Sequence, residues 1–229
     1  MKRAETGAAG LDALLGGGLA RHSVTLVTGE SGTGKTVLCL SFLHRGALYR
    51  EPGVLACFNE PPKKMRANAA AFGWNLAALE KSGRLALLDA SGAHAGLNRG
   101  ETHALKHTDF DAVLHGILET CSKIKAKRLV IDSLSSMLAR VPDRRAALHR
   151  LANALEEEGI TALVTSESMR RDEDYAEEQL ADAVIALKRC DGGRFLEVKK
   201  ARGSAHTLYT HPYRITESGF SVEKASPHL

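Results

Sequence analysis

The sequence predicts an α/β fold, a mainly parallel sheet with helices on both faces and an antiparallel extension at the C-terminal end. Three observations predict it. Near-continuous apolar runs alternate with amphipathic stretches as far as residue 166, the pattern of strands buried on both faces. After that point "DGG" (191–193) separates two extended runs, a hairpin signal. The glycine-rich "GESGTGKT" (29–36) sits between a strand pattern and a helix pattern.

Each element follows in order. "SVTLVT" (23–28) reads as a strand and Lys35–Arg50 as a helix. "GVLACF" (53–58) is a second strand, and "PPKKMRANAAAF" opens a helix at its prolines, which suit a first turn. "RLALLDA" (84–90) is a third strand. In "FDAVLHGILETCSKI", Phe110, Val113, Leu114, Ile117, Leu118, Cys121 and Ile124 share one helical face. "RLVID" (128–132) is a fourth strand. "RRAALHRLANALEEEG" is a helix with Leu148, Leu151 and Leu155 inward and Gly159 as its stop. "ITALVTS" (160–166) is a fifth strand. "DAVIALKRC" with "RFLEVKKAR", and "HPYRIT" with "GFSVE", then form antiparallel pairs.

The 229 residues contain no linker, repeat or low-complexity segment, so one domain spanning 1–229 is expected. No apolar stretch reaches the about 18 residues that a membrane span needs. "MKRAETGAAG" lacks the apolar core of a signal peptide, so a cytoplasmic protein is expected. The net charge of +4 is mild, and acids stand among the bases in "RRDEDYAEE", a solvated surface rather than a nucleic-acid groove. Cys39, Cys57, Cys121 and Cys190 form no C-x-x-C pair and read as reduced, mostly packed thiols. His103 and His107 have the i, i+4 spacing of a metal pair, but "GETHALKHTD" reads as loop and supplies no further ligands.

"GESGTGKT" matches G-x-x-x-x-G-K-[ST] with the required flanks. Gly29, Gly32 and Gly34 let the backbone curl so that its N–H groups face phosphate oxygens. The helix beginning near Lys35 adds its positive end. Lys35 is expected on the β- and γ-phosphates of a nucleotide, and the Thr36 hydroxyl on Mg²⁺. Asp132 ends the apolar "RLVID" and is the expected second anchor of the ion, through its water shell.

Several blocks, in order, resemble the KaiC-like branch of the RecA superfamily. They are "TGAAGLDALLGGGLARHSVTLVTGESGTGKT", "FGWNLAALEKSGRLALLDA", "RLVIDSLSSM" and "LEVKKARGSAHTLYTHPYRITESGF". The resemblance runs from Thr6 to about Val222. It implies a RecA-like P-loop core, ATP as substrate, Mg²⁺, and self-assembly into a ring, a hexamer, with nucleotide between neighbours. On one protomer the ATP contacts would be Gly29, Ser31, Gly32, Thr33, Gly34, Lys35, Thr36 and Val37. The next protomer would supply Lys200, Ala201, Arg202, Ser204, His206 and Thr216. Two cations on an extended strand suit a γ-phosphate, as an arginine finger does. A signalling or regulatory role with a protein partner is the further implication. A clock role does not follow from one such domain.

"FNEPP" (58–62) holds the expected water-polarising acid. KaiC-like domains present two glutamates at this strand end; this chain has Asn59 and Glu60. Asparagine orients water but accepts no proton, so hydrolysis is expected and expected to be slow. Glu60 also reads as a cap for the following helix. If so, Glu167, ending "ITALVTSE", is the next candidate to activate water. Where the family's autokinase domain carries a Ser-Thr pair, this chain has Glu178 and Gln179 ahead of Asp182, so no autokinase activity is expected. Two other functions compete. One is a RecA- or RadA-type DNA-dependent ATPase, opposed by the missing zinc module and by acids in the candidate loop "SESMRRDEDYAEEQ". The other is a nucleotide-gated scaffold without hydrolysis, supported by Asn59.

Overall fold

The computed structural model describes residues 2–91, 109–167, 171–190 and 192–223, with backbone alone for 171–175. His103 and His107 lie outside the described residues. The chain begins with β1 (Arg3–Ala4), α1 (Leu11–Leu14), β2 (Leu19–Ala20), β3 (Val24–Gly29), α2 (Lys35–Leu48) and β4 (Gly53–Cys57). Next come α3 (Pro62–Ala70), α4 (Leu76–Lys81), β5 (Leu85–Asp89), α5 (Phe110–Ile124), β6 (Arg128–Asp132) and α6 (Leu134–Met137). Then follow α7 (Arg144–Glu157), β7 (Thr161–Ser166), α8 (Arg171–Leu180), β8 (Ala183–Cys190), β9 (Gly193–Ala201), β10 (His211–Thr216) and β11 (Gly219–Val222).

A nine-stranded sheet runs β11-β10-β9-β8-β3-β7-β6-β4-β5. The pairs from β8 through β5 are parallel; β8–β9, β9–β10 and β10–β11 are antiparallel. This is the expected α/β architecture with its antiparallel extension. Strands β4, β5, β6 and β7 are buried along their whole length because helices cover both faces. Alternate residues divide between two cores. Val27, Leu55, Val130 and Leu163 pack with Leu38, Phe42 and Leu43 of α2. Leu26, Val54, Ile131 and Val164 pack with Ile117 of α5 and Leu148, Leu151 and Leu155 of α7.

The predicted apolar face of α5 is buried, with Leu118 and Ile124 at its margin. Gly159 terminates α7 in the left-handed region at φ 60°, as expected of a helix stop. Cys39, Cys57 and Cys121 are buried and Cys190 is exposed. Arg128, 2% exposed, ties β6 to its surroundings. It donates to Glu51 at 2.8 and 2.6 Å and to the carbonyls of Glu5 and Phe42, and lies over the Phe42 ring.

Some elements are not in the sequence reading. The ribbon of β1 and β2, and the short α1, α4 and α6, are too brief to show a period. The stretch "SESMRRDEDYAEEQ", read as a loop, contains α8 instead. Its polar composition hid a helix held by packing on α7 and β3.

Candidate functional site

The phosphate loop leaves β3 at the C-terminal edge of the parallel sheet, where open α/β sheets bind ligands. Two glycines are required there. At Gly29 (φ 154°) a Cβ would stand 2.5 Å from the Leu187 carbonyl. At Gly34 (φ 99°) it would stand 2.6 Å from Ile215 Cδ1, in a conformation that side chains rarely adopt. Thr33 stays inside the loop, its hydroxyl donating to the Glu30 carbonyl at 2.8 Å. From behind, the Tyr213 hydroxyl donates to the Thr33 carbonyl at 2.5 Å. Burial pushes the Tyr213 pKa up to about 12, so it stays a neutral donor. The antiparallel extension thus braces the loop.

A cavity of about 550 Å³ opens in front, within the range of small-ligand sites. Ser31, Gly32, Gly34, Lys35, Thr36 and Val37 line it on the loop side. Asn59, Glu60, Asn68, Asp132, Ser136, Glu167 and Ile215 line the rest. Lys35 is buried, and its ammonium rests on the Gly29 and Glu30 carbonyls at 2.6 and 3.0 Å. Burial lowers its pKa, while the charges of Glu167 and then Asp132 act in the opposite direction. The Thr36 hydroxyl donates to Asp132 Oδ2 at 2.8 Å, and Thr165 donates to Asp132 Oδ1 at 2.6 Å. Residues 96 positions apart in the chain therefore meet as one hard-oxygen pair. The helix starting at Lys35 directs its free N–H groups at the same space.

Asn59 and Glu60 follow β4 into this cavity. The Asn59 amide donates to Ser133 Oγ at 3.2 Å and accepts from the Ser136 hydroxyl, which holds it against the turn after β6. Glu60 is half-buried and bonds with Lys64 and, at 3.2 Å, with Asn68 Nδ2. The N-cap of α3 is Pro61 and has no side-chain cap bond, so Glu60 does not act as the cap. Asn68, Ser136 and Ile215 escaped the sequence reading because only folding brings them here. Glu167 carried one usable signal, its position at the end of a parallel strand.

The Lys-x-Arg pair lies elsewhere. Ala201 is opposite Ala183 at the start of β8, whereas Gly29 is opposite Leu187. Four residues of strand, about 13 Å, separate those levels. The β8–β9 pair shifts register between Val184 and Ile185, so Lys199 bulges and the strand beyond it is re-aimed. Lys200 donates to the Glu178 and Gln179 carbonyls at 3.0 and 3.2 Å, and Arg202 to Gln179 at 3.2 Å. Arg202 also pairs with Asp182 at 3.6 Å. Both cations thus close the carbonyl end of α8. Burial, then the charge of Arg202, lowers the Lys200 pKa. Ala201 packs at the margin of the core. Ser204 donates to the Leu15 carbonyl at 2.9 Å. His206 is half-buried on the following loop. Thr216 bonds within its own turn, to Ser218 at 2.8 Å and to the Gly219 carbonyl at 3.3 Å.

A phosphate loop braced at the C-terminal edge of such a sheet, with a strand-end carboxylate on its threonine, defines the class: a nucleotide-binding P-loop ATPase with a RecA-like fold. Comparison narrows the class. The family described as "ATPase: KaiC" matches residues 4–226, and the chain belongs to that family. It is 34% identical to a UPF0273 protein of Methanocaldococcus jannaschii, covering 97% of this chain and 96% of that one. It is 35% identical to the circadian clock oscillator protein KaiC of Synechococcus elongatus, covering 93% of this chain but 42% of that protein. The chain therefore spans less than half of that clock protein. The crystal structure of a KaiC-like protein from Pyrococcus horikoshii superposes with a TM-score of 0.83 at 30% identity, covering 97% of this chain and 99% of that one.

Proposed function

We propose that the chain works as a single magnesium-dependent ATPase domain. In this reading it binds ATP in the phosphate-loop cavity, hydrolyses it slowly, and assembles into a ring of six with nucleotide between neighbours. Its role is regulatory or signalling, in the cytoplasm. One observation carries the proposal: Lys35, Thr36 and Asp132 converge on one cavity beside the phosphate loop. The bonded Thr36 hydroxyl and Asp132 carboxylate are hard oxygen donors that suit Mg²⁺. Bound there, the ion would neutralise phosphate charge as the terminal bond breaks.

The chain's own residues do the rest. Loop N–H groups and the α2 terminus hold the phosphates, and Lys35 leaves the loop carbonyls for the β- and γ-oxygens. Glu60, at the cavity wall, orients the attacking water and takes its proton. Asn59 orients water without accepting a proton. Lys200, Ala201, Arg202, Ser204, His206 and Thr216 face a neighbour's nucleotide. The strand-register separation between Arg202 and its own phosphate loop supports action across an interface.

One observation favours a second reading, a nucleotide-gated scaffold. Asn59 is held by two serines, and both Glu60 oxygens have partners on α3. Gel filtration with mass detection, with and without Mg·ATP, tests both readings when phosphate release is measured on the same fractions. Nucleotide-driven assembly with release supports the ATPase. Assembly with none above background supports the scaffold. No nucleotide-dependent assembly refutes the ring.

A further inference from the structure

We propose that Arg145 and His149, on the exposed side of α7, form with Arg202 an anion-binding groove. It receives the polyphosphate of a nucleotide bound on a neighbouring copy of this chain. The inference rests on the reading that nucleotide sits between copies, and adds a second cationic element to the interface.

The groove has a volume of about 340 Å³ and lies where α7, α8 and the end of β9 meet. Its walls are Arg145, His149, Ala176, Gln179, Leu180 and Arg202. Two of these six are guanidiniums, Arg145 and Arg202, beside the His149 imidazole; none is an acid, and Asp182 meets Arg202 from outside the lining. Arg145 and His149 are four residues apart and so lie one above the other on α7. Both are exposed, and neither has a hydrogen bond or ion pair among the described residues. Arg150 on the same helix behaves differently. It donates to Asp111 at 2.9 Å and covers the Phe110 ring. Clustered cations around a concavity raise the local potential and favour an anion.

The groove faces a chemistry that the same molecule presents elsewhere. The phosphate-loop cavity has Glu60, Asp132 and Glu167 on its walls against Lys35, and Lys64 pairs with Glu60 from outside, which leaves one carboxylate in excess. It is anionic before a nucleotide enters, and more so afterwards. A second copy therefore offers the complementary surface. The register separation between Arg202 and its own loop puts the groove beyond the reach of the nucleotide in its own chain. Arg145 is suited to the task because a guanidinium presents paired donors to phosphate oxygens.

The test uses the full chain with Mg·ATP. Arg145→Ala should bind nucleotide as a monomer within about twofold of the parent, yet need roughly tenfold more protein to assemble, the loss of one charge-assisted contact. Arg145→Lys, which keeps charge but not the fork, should fall between them. An unchanged melting temperature would show that the fold survives; Arg145→Gln stands in otherwise. Mixing then assigns the side of action. Arg145→Ala mixed with Lys35→Ala creates intact loop-to-Arg145 contacts at one of every two interfaces of an alternating assembly, so nucleotide-driven pairing and any hydrolysis should recover there, while the alternate contacts, which lack both groups, should not. Arg202→Ala mixed in the same way is the reference. If Arg202→Ala is rescued but Arg145→Ala matches the parent throughout, the groove idea falls and the trans reading stands. An Arg145→Ala defect that mixing fails to rescue would place its action within its own protomer and overturn the inference. If Arg202→Ala has no assembly defect, the underlying reading fails and the inference falls with it. Loss of salt-sensitive single-stranded DNA binding by Arg145→Ala, with Mg·ATP assembly intact, would make the groove a nucleic-acid surface and refute the proposal.

Discussion

Asp132→Asn probes the proposed magnesium site at its most constrained atom. Asp132 is 4% exposed and accepts from Thr36 and Thr165, one hydroxyl on each oxygen. An amide of the same shape keeps one acceptor and turns a donor toward the other hydroxyl, which can rotate to accept. Bonds to a charged group contribute about 1.5–3 kcal/mol against about 1 kcal/mol for neutral ones. The fold should therefore lose ~1–2 kcal/mol, a fall in melting temperature of about 2–8 °C for a chain of this size. Magnesium loses more. Altering a group that acts through the ion's water shell costs about 10–100-fold in metal affinity. Metal-free ATP should bind the variant as well as the parent, or better, because one negative charge near the phosphates is gone. Calorimetric titration of ATP, with excess magnesium and then with chelator, reads both numbers. Equal losses in the two titrations would refute the magnesium role and leave Asp132 as a structural acceptor.

Lys35→Ala removes a buried cation. Coulomb attraction at 4 Å and an effective dielectric of 20 is about 4 kcal/mol, so nucleotide affinity should fall roughly 10³-fold by calorimetry. Glu60→Gln should lower phosphate release about 10²-fold or more while assembly persists, and Asn59→Glu should raise it. Parent-rate release by Glu60→Gln would shift the role to Glu167. Glu51 carries a pH prediction. Burial opposes its charge, but hydrogen bonds from Arg21 and Arg128 outweigh that and hold its pKa below 4.5. A depressed folded pKa gives stability that is present above about pH 4.5 and lost as pH falls through the folded value. Arg128 stays charged throughout, so it adds no titration in that range. Glu51→Gln should thus melt lower than the parent at pH 7, with the gap narrowing as pH falls from about 4.5 through the depressed folded value.

The phosphate loop was legible because its chemistry is local. Its glycines, Lys35 and Thr36 are contiguous, and the loop geometry follows from them. Asp132 was legible for a related reason, as an acid ending an apolar strand. Asn59 and Glu60 were found at a strand end, but their bonding was not. Ser133 and Ser136 sit 74 and 77 residues from Asn59, and no spacing connects them. Helix α8 was missed because its residues are polar and its helical state depends on packing.

By itself the sequence determined the alternating strands and helices, the phosphate loop and the strand-end acids. These follow from short-range periodicity and backbone freedom, which neighbouring residues specify. The tertiary structure alone decided the order of strands, the bracing of the loop by Tyr213 and Ile215, and the bond between Thr36 and Asp132. It also decided the separation of Arg202 from its own phosphate loop. Those depend on register across the sheet, and register is set when distant segments bury their apolar faces against one another.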